Sequence, residues 1–310
     1  MKRLPNYSLL WVSFIVFLCT GCNPVSQLSV SSPDGNLCLH VETENGKLYY
    51  ELSRNGKPIL DKSHLGFILK EDTLAGHLEI TEALHHSFSG TWEQIWGEDR
   101  IVENNYHEMT IRVQKTSTPK RKFNVVFRLF NDGFGFRYEF PEQEALKDFV
   151  IMDELTEFAL TGDHKAWSIP YEAHFYEALY EASPVSKLGW VSTPLTMETN
   201  DGLFLSIHEA NLTDYAAMNL IPKEGSMTLK ANLTPWSTGE KVFMKAPGVT
   251  PWRTMIVAES AGNLLLSRLM LNLNEPCRIQ DTSWIQPGRY IGIWWTYHMH
   301  KHTWHTGPRH

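Results

Sequence analysis

With 310 residues and 35.7 kDa, the chain is long enough for two domains or for one large β-sandwich. Hydrophobic residues make up 42% and charged residues 20%, which excludes a disordered chain. A net charge of -7 argues against a nucleic-acid partner, and a mean hydropathy of -0.29 with a single apolar run near spanning length excludes a multi-pass membrane protein.

That run is N-terminal. Met1-Lys2-Arg3 is basic, 9–19 is an apolar stretch of eleven residues, and Thr20-Gly21-Cys22-Asn23 follows. A basic start, a short apolar core and a small residue before a cut make an export signal, too short for a stable span. Gly21-Cys22 gives it the look of a bacterial lipoprotein signal in which Cys22 becomes the lipidated first residue, although Cys19 stands where Leu is commonest. The expectation is a signal over 1–21 and a mature chain held on a membrane surface by lipid alone. Ordinary cleavage beside an incidental Cys is the alternative.

The body reads as strands. Leu37–Val41, Lys47–Leu52 and Phe67–Lys70 lie between turn signals at Pro33-Asp34-Gly35, Asn45-Gly46 and Asn55-Gly56. Residues 52–60 (LSRNGKPIL) spell strand, type I′ turn, strand, because Asn-Gly tolerates two successive positive φ values. Thr91–Glu98 holds two Trp and two Glu, which suits either a stacking shelf for a sugar or two core aromatics. Met109–Val113, Phe123–Phe130 and Phe134–Phe140 alternate, with Asn131-Asp132-Gly133 as a turn. Leu203–His208 is a strand that ends in His208-Glu209, where a carboxylate could face a cleft or simply meet solvent. Met227–Leu233 and Trp252–Ala258 are further strands. Ala261–Met270 is the one helix, its apolar face drawn from Leu264, Leu265, Leu266, Leu269 and Met270. Strands every 8–12 residues with so little helix predict a mainly β fold, a large sandwich.

The pattern changes near residue 290. Tyr290–Trp295 is continuously apolar, as strands buried on both faces are. Fifteen polar, His-rich residues follow, which could offer imidazoles to Zn or Cu without any visible fixed geometry. One such strand cannot close a barrel, so a second domain is expected to begin near 290. Of the remaining cysteines, Cys38 and Cys277 either pair in an oxidising compartment or, as a chain of this size needs no staple, stay as two buried free thiols. No GxSxG, HExxH, P-loop or GxGxxG appears, and spacing among 35 acids selects no catalytic pair.

An ordered set of runs is similar to glycoside hydrolase family 97, the family of the Bacteroides starch-utilisation α-glucosidase. The runs are Ser31–Gly35; Thr91-Trp92 with Trp96-Gly97-Glu98; Phe127-Arg128 with Asn131–Phe140; Ser206–Ala210 with Asp214-Tyr215; Pro251–Thr254; Leu271–Glu275; Asp281–Trp295; and Thr303-Trp304 with Gly307-Pro308. The resemblance implies a galactose-mutarotase-like β-super-sandwich over 22–275. It also implies a linker and the first strand of a truncated (β/α)8 catalytic barrel over 276–310. The implied function is the N-terminal, carbohydrate-binding or supporting domain of an exo-acting α-glucosidase or α-galactosidase, inactive alone. The implied partner is an α-linked oligosaccharide, with a missing C-terminal catalytic fragment, in the periplasm or on the outer membrane of a Bacteroidetes-like bacterium. The family's catalytic acids lie on later barrel strands, so none is carried over. Inverting members bind Ca²⁺, and the sandwich's ligand to it matches Glu209; binding by this chain alone should be weak. Trp295 and His298, at the end of the first barrel strand, are the implied contacts to the glycone. A stand-alone carbohydrate-binding lipoprotein is the alternative reading.

Overall fold

The computed structural model describes residues 27–94, 97–173, 177–286 and 288–289. Alternation decides the architecture. In Leu37–Glu44 every second side chain is buried (Leu37, Leu39, Val41), and Lys47–Arg54 buries Leu48, Tyr50 and Leu52 in the same way. Each strand therefore has one dry face, and two sheets stack on those faces.

One sheet has eight strands, in the spatial order Ser29–Ser31, Leu37–Glu44, Lys47–Arg54, Lys57–Leu65, Glu157–Leu160, Thr228–Leu233, Met218–Pro222 and Val191–Ser192. The other has ten. Its path runs through Glu181–Pro184, Lys165–Ser168, Leu195–Glu198, Phe204–Ala210, Trp252–Ala258, Gly133–Phe140, Lys122–Phe130, Ile101–Lys115 and Leu78–Glu93, and Gly248–Val249 pairs alongside Gly133–Phe140. A small third sheet joins Val242–Lys245, Asp148–Glu154 and Phe67–Leu69. Every strand pairing among the described residues is antiparallel, and the sequence-based expectation of a large β-sandwich holds.

Aromatic rings fill the space between the two large sheets. Tyr50 of the eight-stranded sheet meets Phe127, Phe134 and Phe136 of the ten-stranded sheet at centroid distances of 6.0, 5.9 and 5.2 Å. Its hydroxyl donates to the Glu157 carbonyl at 2.8 Å, so the ring is buried without leaving a polar group unpaired. Phe67 packs edge-on against Tyr138 at 4.5 Å.

The Asn55-Gly56 turn has φ values of 51° and 78°, as a type I′ turn needs, and Asn45-Gly46 repeats it at 52° and 73°. The expected single helix is instead two short ones, α1 (Ala261–Leu266) and α2 (Leu269–Asn272). Leu265 and Leu266 lie 80% and 66% exposed, so no continuous apolar face forms. The break has two causes. Arg268 turns to pair with Asp99, and the chain shifts so that Leu269 and Leu273 seat on the floor made by Gly133 and Gly135. Cys38 and Cys277 are free thiols, but Cys38 is half-buried and Cys277 exposed rather than both buried. No helix among the described residues is long and apolar enough to cross a membrane. The expected barrel strand at 290–295 and the His-rich tail lie outside the described residues.

Gly133 is the tightest point under α2. A Cβ there would fall 2.3 Å from the Met255 carbonyl oxygen, at a φ of 151° that suits glycine. Gly133→Ala should lower unfolding free energy by about 1–3 kcal/mol in urea titrations. Gly35→Ala, which meets no neighbour but also has positive φ (77°), should cost less.

Candidate functional site

Phe204–Ala210 and Trp252–Ala258 are neighbours, and their register sets Glu209 opposite Arg253. Both side chains face inward. The guanidinium of Arg253 is fully buried, which is tolerable only with anionic partners. It has two. Nε and Nη2 donate to Oε1 and Oε2 of Glu154 at 2.8 and 2.6 Å, a bidentate fork. Nη1 donates to Glu209 Oε2 at 2.6 Å.

Each carboxylate takes further donors. Thr156 Oγ1 donates to Glu154 Oε1 at 2.9 Å and the Tyr215 hydroxyl to Oε2 at 3.1 Å. Tyr138 reaches the same cluster through Thr156 at 2.8 Å. Glu209 Oε1 accepts the Met218 N–H at 3.0 Å. The network thus ties the ten-stranded sheet to the small sheet, through Glu154, and to the eight-stranded sheet, through Met218.

Burial and charge pull against each other here. Burial alone would raise Glu154, but the Arg253 charge and the hydrogen bonds override it and hold the carboxyl below its ordinary value. For Glu209 burial prevails over Arg253 and the Met218 N–H, and its carboxyl is raised. Burial also lifts the Tyr215 phenol well above its usual range. Burial opposes the charge on Arg253, but its two acids outweigh it and raise its pKa further. Both glutamates bind one guanidinium, so the cluster is an ion-pair brace, not two acids flanking a scissile bond.

His208, one residue earlier, faces the opposite side. Its Nδ1 lies 3.0 Å from Thr193 Oγ1, and burial lowers its pKa. On that outer face Trp252 is sandwiched between the guanidinia of Arg128 and Arg137, 4.8 and 4.7 Å from its ring. Asn274 accepts the Asn211 N–H at 2.9 Å, so the segment after α2 leaves the sandwich beside the end of the Glu209 strand.

The sequence expectation that Glu209 borders an open cleft or solvent is corrected: its oxygens are occupied by Arg253 and Met218, and it is only 8% exposed. No grouping of three or more His, Cys, Asp or Glu able to hold a metal occurs among the described residues. Ca²⁺ takes 6–8 oxygens, both Glu209 oxygens are already paired, and an adjacent guanidinium disfavours a second cation, so the described residues alone do not fit Ca²⁺. In the Thr91–Glu98 run, Trp92 Nε1 donates to Asn272 at 2.8 Å against the α2 segment, while Trp96 lies outside the described residues. Trp295, His298 and Cys22 lie outside them too. Sequence reasoning missed Glu154, Tyr215 and Arg253 as a unit. The available signal was Arg253 itself, a lone cation in the strand WRTMIVA, which is buried throughout.

The architecture is that of a glycoside hydrolase's N-terminal domain, and the family model described as Glycosyl-hydrolase 97 N-terminal matches residues 30–276. The chain belongs to glycoside hydrolase family 97. A retaining α-galactosidase of Bacteroides thetaiotaomicron is 27% identical over 330 aligned positions, covering 95% of this chain and 47% of that protein. A probable retaining α-galactosidase of Streptomyces bingchenggensis is 27% identical, covering 85% and 40%. Among solved structures, a family 97 enzyme from Pseudoalteromonas sp. strain K8 in complex with acarbose superposes with a TM-score of 0.85 at 39% identity, covering 89% of this chain and 42% of that one. An E480Q form of a family 97 enzyme from the same strain, in complex with panose, gives the same figures. The chain thus spans less than half the length of these relatives.

Removing the cation should be costly: Arg253→Met strands two buried carboxylates and should lose about 3–5 kcal/mol of unfolding free energy. Glu154 contributes to the pH dependence. Its folded pKa lies below the ordinary 4.5, so its contribution is present above pH 4.5 and lost as pH falls through the folded value. Urea titrations from pH 6 down to about pH 3 should therefore show Glu154→Gln losing less stability over that interval than the wild type.

Proposed function

We propose that the chain is the supporting, carbohydrate-contacting domain of an exo-acting α-glycosidase whose reacting carboxylates lie outside it. The observation that carries this is the family match over 30–276, together with a superposition that covers under half of the solved enzymes. The ion-pair brace agrees with a supporting role: it fixes one end of the sandwich and offers no free acid for bond cleavage.

The substrate is an α-linked oligosaccharide. The structures bound to acarbose and panose share 39% identity with the chain and favour an α-glucoside, while the α-galactosidases share 27%. In this reading Trp295 and His298 lie near the glycone, while Glu209, both of whose oxygens are already paired, serves Arg253 rather than Ca²⁺. The purified 310-residue chain should not hydrolyse p-nitrophenyl α-glucoside or α-galactoside. Turnover that scales with the protein through repeated purification would overturn the proposal.

The N-terminal pattern supports export with a lipid on Cys22, holding the protein at a periplasmic or outer-membrane surface without spanning. Palmitate labelling in a bacterial host should mark the wild type. Cys22→Ser should abolish the label and release the protein to the soluble fraction.

A further inference from the structure

A cavity of about 390 Å³ opens between two loops, 211–217 and 234–241. Its walls include Asp214, Thr234, Trp236, Lys241 and Phe243. We propose that it is a saccharide-binding subsite, beside the Arg253 network with which it shares Tyr215, that stacks a pyranose ring on Trp236 and Phe243 and holds its hydroxyls on Asp214. This deepens the proposed function and rests on its reading that the ligand is an α-linked oligosaccharide.

Two large aromatics stand at the mouth. Trp236 is 63% exposed and Phe243 60%, and their rings meet edge to face at 6.4 Å. An isolated exposed apolar side chain needs no explanation, whereas these two meet at the mouth of a cavity and present a joint apolar surface to it. Beside them lies a polar edge. Asp214 is exposed and has no hydrogen-bond or ion-pair partner among the described residues. It also sits at φ 50°, a left-handed conformation that Asp tolerates but does not prefer.

The cavity is held in shape. Thr234 N–H donates to the Ala217 carbonyl at 3.0 Å, which fastens one loop to the other. Trp236 N–H donates to Glu240 at 2.8 Å and Gly239 N–H to Trp236 at 2.9 Å, closing the second loop on itself. Tyr215, next to Asp214, is anchored by its hydroxyl on buried Glu154. A site set in advance spends little entropy on binding.

The chemistry selects a sugar. A pyranose has an apolar CH face for the rings and a rim of hydroxyl donors for a carboxylate. An apolar peptide would desolvate Asp214 without pairing it, and a polyanion would be repelled by Asp214 and by a net charge of -7. Lys241 does not reverse that, since its ammonium is turned to the Leu233 carbonyl at 2.5 Å.

Isothermal titration of the 310-residue chain with maltotriose and, separately, melibiose tests the proposal. At least one sugar should bind at a single site with a millimolar or tighter Kd, and the stronger arm names the glycone. Trp236→Ala should weaken that binding about tenfold or more, Asp214→Asn severalfold, and Trp236→Phe little. Trp284→Ala, at another exposed Trp, should leave it unchanged. Thermal midpoints of these surface variants should match the wild type, and the loss expected for Asp214→Asn tests the site if Trp236→Ala fails to fold. No heat from either sugar at tens of millimolar, or equal binding by wild type and Trp236→Ala, overturns the site. Neither outcome touches the family membership, and the proposed supporting role falls on a different result, turnover of substrate by the chain alone.

Discussion

A guanidinium sealed between two sheets is the constraint on which this sandwich turns. Arg253 cannot shed its charge at any accessible pH, so the fold must deliver carboxylates to it. Glu209 comes from the neighbouring strand by register alone. Glu154 comes from the small third sheet, 99 residues earlier in the chain. One cation thereby fixes how three sheets meet at one end of the molecule. Buried ion pairs add little net stability against an apolar replacement, but they penalise every arrangement that leaves a charge unpaired. The brace therefore acts on specificity of assembly more than on total stability.

The rest of the interior is held by less exacting means. Rings from both sheets interleave around Tyr50, where a change of shape can be absorbed by neighbouring rotamers. The contrast explains the distribution of polar groups. The fully buried charges of Arg253 and Glu154 sit together in one cluster, and rings fill the space around Tyr50. The outer face repeats the device in milder form, with Trp252 clasped by Arg128 and Arg137, each itself paired to an acid.

What the sequence disclosed follows from how local the information is. Asn55-Gly56 announces its own φ values, and the alternation of Phe134–Phe140 announces its own dry face, so the hairpins and the sandwich were legible. Leu78–Glu93 was not. It is a sixteen-residue edge strand with a largely exposed, polar stretch at His85-His86-Ser87, and an edge has one side with no partner to impose a pattern. The helix was misread because Leu264–Leu266 looks apolar in any register, whereas its course depends on Asp99 and on two glycines far away in sequence. Spacing marked Glu209 only as a carboxylate at a strand end, and the resemblance only as a metal ligand. That its partner is Arg253, and that Glu154 completes the brace, is long-range information that spacing does not carry.

The opposed directions of His208 and Glu209 set different tolerances along the chain. In an exposed turn such as Asn55-Gly56 an inserted residue can be looped out into solvent. Within Phe204–Ala210 it cannot. A single insertion or deletion would turn the imidazole inward against Arg253 and throw the carboxylate to the outer face, leaving the guanidinium beside a neutral ring where an anion had been. Evolution can rewrite the letters of this strand far more readily than it can change their number.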